Sequence, residues 1–263
     1  MTEAKKIAPA IPAATILLLR DGAEGLEVFM VKRHHQIDFT PGALVFPGGK
    51  VFEGDSNAAL NNLTDGIEDW STDMRALGAA AIREVFEESG ILMAREEGQS
   101  DFLSAARAAE LQHYRGPLDR REVDLADMLR DEKLRLACDS LAHFAHWITP
   151  EMMPKRFDTH FFLAAVPEGH LGRHDGRESV DSVWIRPEVA IADRKRWNVI
   201  FPTKLNLMKL AQSHTVADAL ATARATPPIS VTPWTEDGPD GLILRIRDDA
   251  GYTQTTALLK EET

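Results

Sequence analysis

The 263-residue chain carries a single cysteine, Cys138. No intrachain disulfide and no cysteine-based zinc site can be built from one thiol, and Cys138 reads as a small core residue. That economy fits a reducing compartment, and a cytoplasmic location is expected. Long apolar runs are missing too: no stretch of eighteen residues is apolar throughout, which argues against a transmembrane helix. Lys5 and Lys6 ahead of the apolar stretch 7–19 superficially resemble a secretory leader. Pro9 and Pro12 interrupt that stretch, and no small-residue cleavage site follows Arg20, so no leader is expected. A basic excess is lacking as well. Lys and Arg number 30 against 41 Asp and Glu, a formal net charge of −11. Neither nucleic acid nor a membrane is therefore expected as a partner. A small phosphate ligand remains open, because a bound metal ion can invert the local field. Internal repeats and low-complexity tracts are absent.

What is present is an ordinary globular composition, 44% hydrophobic and 27% charged, in a chain long enough to bury a proper core. Apolar runs at 14–20 and 26–33 read as strands around an Asp21–Gly25 turn, and 43–46 is a short apolar run. Residues 55–71 are polar and rich in Asn and Asp, which reads as an inserted loop. A helix is expected over 77–89, with Gly90 placed to end it. Residues 102–136 suggest two charged helices parted near Gly116-Pro117. Strands are expected at 142–149, 159–166 and 180–185, then a helix that Pro187 starts. Amphipathic helices follow over 203–225, then a terminal hairpin of 229–235 with 242–247. This mixed order places the fold in the α/β class, as a sandwich.

The informative stretch is Arg83-Glu84-Val85-Phe86-Glu87-Glu88-Ser89-Gly90-Ile91. At about 100° per residue, Glu84, Glu87 and Glu88 share one helix face. Ile82, Val85 and Phe86 share another, centred roughly 160° away. Three like charges within one turn repel by about 0.2–0.5 kcal/mol per pair on an exposed helix. So small a cost is compatible with a solvated acidic face. The trio alone therefore reads first as such a face, and the alternative is a hard divalent cation, which favours carboxylate oxygens, waters and substrate phosphates. Upstream, Phe46-Pro47-Gly48-Gly49 ends a strand. Glycines there permit a sharp turn or a close approach of backbone to a ligand.

These residues resemble the signature of the Nudix hydrolases. That signature runs Gly, five residues, Glu, seven residues, Arg-Glu, an aliphatic residue, any residue, Glu-Glu, any residue, Gly and an aliphatic residue. Arg83 to Ile91 matches every fixed position of the second half. In the first half, Gly49 is followed after five residues by Asp55, where the family has Glu. Residues 56–82 then number 27, twenty more than the family spacing. The resemblance implies an α/β/α sandwich with a mixed sheet over residues 10–195, with inserts at about 56–76 and 98–136. Residues 196–263 would form a helical and hairpin extension packed on the same domain. It further implies cleavage of a diphosphate bond with Mg²⁺ or Mn²⁺. Glu84 and Glu88 would then be metal ligands and Glu87 a further ligand or base. Arg83 would orient Glu84, and the Gly49 carbonyl would complete the metal shell. Gly48 and Asp55 are weaker expectations for substrate contact. A further acid outside the signature is expected, with Glu178 and Asp181 as candidates and Glu168 a weaker one. Many relatives are dimers, so a homodimer is among the expected states.

The long insertion, Trp147-Ile148-Thr149-Pro150 and the run 156–162 resemble the branch that includes the peroxisomal coenzyme A diphosphatases. A coenzyme A signature of that branch runs Arg-Ser, three residues, Arg, three residues, Gly, three residues, Phe-Pro-Gly-Gly. Arg33, Gly42 and Phe46 to Gly49 fit it. His34 replaces the Ser, and Asp38 stands where the second phosphate-pairing Arg belongs. The expected partner is thus a small nucleoside diphosphate derivative: coenzyme A or an acyl ester, with ADP-ribose or a dinucleotide as the alternative. A sensor that binds such a metabolite without turnover is the alternative of another class. Arg33 and Lys32 at a strand end are candidates for ligand phosphates, whereas His34-His35 reads as a polar loop. The last residues, Lys260 to Thr263, do not match a peroxisomal Ser-Lys-Leu-like signal.

Overall fold

The computed structural model describes residues 7–34, 42–176 and 179–259. Asp38, His35 and Glu178 lie outside the described residues. The strands in chain order are β1 (Ala10–Gly22), β2 (Gly25–Arg33), β3 (Leu44–Val45), β4 (Gly48–Lys50), β5 (Thr64–Asp65), β6 (Ala94–Glu96) and β7 (Leu134–Ala137). They continue as β8 (Ala142–Ile148), β9 (Arg156–Ala165), β10 (Ser179–Ile185), β11 (Ser230–Val231), β12 (Trp234–Gly238), β13 (Gly241–Arg245) and β14 (Thr256–Leu258). The helices are α1 (Thr72–Ser89), α2 (Ala105–Glu110), α3 (Arg115–Asp119), α4 (Leu125–Asp131), α5 (Pro187–Ala192), α6 (Phe201–Leu210) and α7 (Val216–Ala225).

The main sheet has the order β10-β2-β1-β9-β8-β11, with β3 joined to β2 and β4 to β1. It is mixed: β1 runs antiparallel to β2 but parallel to β9. Residues 14 and 16–19 of β1 are all fully buried, because both sheet faces are covered. Ala14, Ile16 and Leu18 pack with α1 and α4 in one core. Leu17 and Leu19 point the other way, into a core shared with α6 and α7. The result is the expected α/β/α layering with a mixed sheet. Among the described residues, no helix is long and apolar enough to cross a membrane.

Several local expectations need correction. Helix α1 starts at Thr72, five residues early, because the Ser71 side chain caps it by accepting from the Met74 N–H at 3.2 Å. Gly90 ends it as expected, in the left-handed region at φ 74°, donating its N–H to the Phe86 carbonyl. The 55–71 stretch is no simple loop. It forms two short 3₁₀ turns and β5, and it buries Leu60 and Ile67 in the first core. Gly116-Pro117 does not separate two helices but sits in the first turn of α3, where a missing proline N–H leaves no helical bond unmade. Residues 134–137 form β7 in a small sheet with β5 and β6. At the C-terminal end the first hairpin arm divides. Ser230-Val231 joins the main sheet beside β8, and Trp234–Gly238 pairs with β13. Pro233, which cannot donate to a ladder, stands between the two pieces. Tyr252 ties this region to the second core, accepting from Trp147 Nε1 and donating to Asn206 Oδ1, both at 2.8 Å.

Candidate active site

The acidic face of α1 is not solvated. Ile82, Val85 and Phe86 are fully buried, yet Glu84 and Glu87 on the opposing face are each only 8% exposed, and Glu88 is half-buried. Arg83 is enclosed with them. Its Nε and Nη2 donate to the two oxygens of Asp55 at 2.8 and 2.9 Å. Its Nη1 donates to Glu84 Oε1 at 2.9 Å and Glu87 Oε2 at 3.0 Å, and Nη2 also reaches the Lys50 carbonyl at 3.0 Å. Burial works against the Arg83 charge. The Asp55 hydrogen bonds and the surrounding carboxylates outweigh it and hold the guanidinium above its ordinary range. Burial pushes the Glu87 carboxyl up to about 8; Arg83 opposes that shift and Glu84 adds to it. Glu87 Oε1 is buried and has no hydrogen-bond partner.

The Gly48-Gly49 pair lies against this face in β4, an extended strand antiparallel to β1, and not in the expected turn. Its glycines serve close approach. A Cβ on Gly49 would stand 2.5 Å from the Glu84 carboxylate carbon. A Cβ on Gly48 would stand 2.5 Å from the Ala14 carbonyl oxygen. The Gly48 N–H donates to Glu88 Oε2 at 3.1 Å. Backbone and carboxylates therefore meet only because both side chains are absent.

Gly48, Gly49, Glu84, Glu87 and Glu88 all line one cleft of about 1040 Å³. That volume suits a nucleotide-sized ligand. Arg33 and His34 also line it. Four of the expected candidates do not. Asp55 is 4% exposed and turned onto Arg83, so its shorter side chain completes an internal ion pair and is not part of the cleft lining. Arg83 likewise stands behind the carboxylates, with Nη1 2.9 Å from Glu84 Oε1 and 3.0 Å from Glu87 Oε2. Asp181 and Glu168 are exposed and absent from the cleft lining.

Some cleft residues carry no clear signal in the sequence. Asp175 lines the cleft and accepts from the Ser179 N–H at 3.0 Å. The 98–136 insert contributes Gln112, Arg115, Asp119 and Arg121. Gln112 Nε2 donates to the Gly90 carbonyl at 2.9 Å, and Arg115 Nε donates to the Glu87 carbonyl at 3.1 Å. The insert thus satisfies the otherwise orphaned end of α1. Arg121 adopts φ 58°, unusual for an arginine, and lays its guanidinium 3.5 Å over the Phe52 ring centroid. The nearest clue is the basic pair Arg120-Arg121, which reads as an ordinary solvated helix end.

A carboxylate-bearing helix ending on glycine, held against a Gly-Gly strand in an α/β/α sandwich, defines the Nudix hydrolase class. The profile of the NUDT19 Nudix domain matches residues 71–206, more than half of the chain, and the chain belongs to that family. It is 23% identical over 215 residues to the acyl-coenzyme A diphosphatase NUDT19 of Xenopus laevis. That match takes in 67% of this chain but only 57% of the length of the relative. The crystal structure of a Nudix hydrolase from Alicyclobacillus acidocaldarius superposes with a TM-score of 0.70 at 26% identity. It covers 84% of this chain and all of that one.

Proposed function

We propose that the cleft hydrolyses the diphosphate bond of a nucleoside diphosphate derivative, with coenzyme A or an acyl-coenzyme A as the preferred class. The observation that carries this reading is the excess of carboxyl groups behind Gly49. One guanidinium, Arg83, faces three carboxylates, Asp55, Glu84 and Glu87, and Glu87 Oε1 lacks any partner. More carboxyl groups than cations at a buried, oxygen-lined site, with Glu87 pushed toward its neutral form while no ion is there, fit a hard divalent cation, Mg²⁺ or Mn²⁺. Glu84, Glu87, Glu88 and the Gly49 carbonyl would hold it. Such an ion neutralises phosphate charge and lowers the pKa of a bound water.

The remaining roles belong to the chain itself. Arg83 fixes the Glu84 and Glu87 rotamers through Nη1. Gly48 orients Glu88 through its N–H. Arg33, Lys50, Arg115 and Lys155 line the cleft and supply cations for phosphate oxygens. Trp147, Phe157 and Phe161 supply apolar surface for the non-nucleotide part of the ligand. The likeness to the Xenopus laevis acyl-coenzyme A diphosphatase supports the substrate class.

The test is incubation with Mg²⁺ and coenzyme A, acetyl-coenzyme A, ADP-ribose, NADH and diadenosine polyphosphates, with products identified by mass. The expected products from coenzyme A are 3′,5′-ADP and 4′-phosphopantetheine. Turnover of ADP-ribose or a dinucleotide alone would overturn the substrate class but keep the hydrolase. Calorimetric binding across the panel with no product would overturn hydrolysis.

A further inference from the structure

A second polar cluster lies across the sheet from the cleft. Strand β9 alternates. Phe157, Thr159 and Phe161 line the cleft, so Asp158 and His160 point to the other face. His146 on β8 stands directly opposite His160 in the antiparallel register. His146, Asp158 and His160 each offer one donor atom, and these atoms lie within 4.8 Å of one another. Asp158 Oδ1 contacts His146 Nε2 and stands 3.9 Å from His160 Nε2.

We propose that His146, Asp158 and His160 form a binding site for a divalent transition ion of the zinc type, separate from the carboxylates of α1. The ring nitrogens facing away from the cluster carry the argument. His160 Nδ1 is 3.0 Å from His143 Nε2, and His146 Nδ1 meets Ser230 Oγ. A histidine that ligates through Nε2 needs an acceptor for its Nδ1–H, and each ring has one in place. Without an ion, a His160 that donates to His143 turns its Nε2 lone pair toward a carboxylate. An ion between them turns that opposition into shared coordination. The side chains of His146 and His160 keep 17% and 15% of their surface exposed, so an ion can enter and a fourth position stays open to water. Two imidazoles and one carboxylate suit Zn²⁺ or Co²⁺ and disfavour Mg²⁺, which demands oxygen ligands. Such an ion would clamp β8 to β9 and, through Ser230, fasten β11 to the same edge.

The test is titration of the tag-free chain with Co²⁺ in excess Mg²⁺, read by visible absorption and by proton NMR. One equivalent should bind, with two exchangeable, strongly shifted imidazole N–H signals, and Zn²⁺ should displace it. His146→Gln and His160→Gln should each weaken binding by tenfold or more, and Ser230→Ala by about tenfold. Glu88→Gln should leave Co²⁺ binding unchanged, so the result stands apart from the hydrolase reading. Lack of the band and of the two shifted signals in the wild type would overturn the proposal. So would a band lost in Glu88→Gln. Both outcomes are read without the histidine variants, should those fail to fold.

Discussion

Arg83 and Asp55 are joined by two parallel hydrogen bonds, Nε to Oδ1 at 2.8 Å and Nη2 to Oδ2 at 2.9 Å, with side chains 7% and 1% exposed. The pair closes the inserted segment onto α1. It also leaves Nη1 free to hold Glu84 and Glu87. The bidentate geometry fixes the guanidinium plane, which a single contact would not do.

Removing the partner should therefore cost both fold and rate. Asp55→Ala leaves a buried guanidinium short of one carboxylate, and unfolding in urea should show a loss of about 3 kcal/mol. Because Asp55 does not face the cleft, kcat should fall more than KM rises. A pure KM effect would place Asp55 against substrate instead.

Gly49→Ala tests the close approach of the strand to Glu84. The added methyl would meet the Glu84 carboxylate carbon at 2.5 Å, and that carboxylate is the movable end of a side chain. The melting temperature should fall as the displaced Glu84 loses its contact with the buried Arg83, and turnover should fall by about a hundredfold. Unchanged turnover would show that the Gly49–Glu84 approach has no part in the chemistry.

The sheet and the helix of the glutamates were legible because their signals are local. Continuous apolar runs mark β1 and β2, and the 3.6-residue period separates Ile82, Val85 and Phe86 from the glutamates. The burial of Glu84 and Glu87 was not legible, since it depends on Gly49 and on Arg83, 34 positions further along the chain. The destination of Asp55 was hidden for the same reason. The insert after it folds back over a distance that no spacing rule describes. Gln112, Arg115 and Asp175 reach the cleft through tertiary packing alone, and short helices such as α3 leave little periodicity to read.

Acid should weaken the metal-free protein through the histidines of β8 and β9. Burial, and then neighbouring histidine charge, lowers both His143 and His160 to about 4. His146 and Lys209 add positive charge nearby, and Asp158 opposes them at His160. Between pH 6.5 and pH 4 the unfolded chain binds protons that the folded chain refuses. Stability should be full above pH 6.5 and fall progressively toward pH 4. Urea unfolding at a series of pH values checks this, and His143→Phe should flatten the slope. A stability that rises on acidification through this window would contradict the neutral, buried assignment.

The most direct test of the account is the rate of diphosphate hydrolysis by Glu88→Gln beside the wild type, each with Mg²⁺ and after chelation. The account predicts a fold intact by circular dichroism and a kcat lowered by about a hundredfold or more in the variant, as loss of a metal ligand worth several kcal/mol requires. It also predicts a wild-type rate abolished by chelation and restored by Mg²⁺ or Mn²⁺. A Glu88→Gln protein that turns over at the wild-type rate, or a wild type indifferent to chelation, would contradict it.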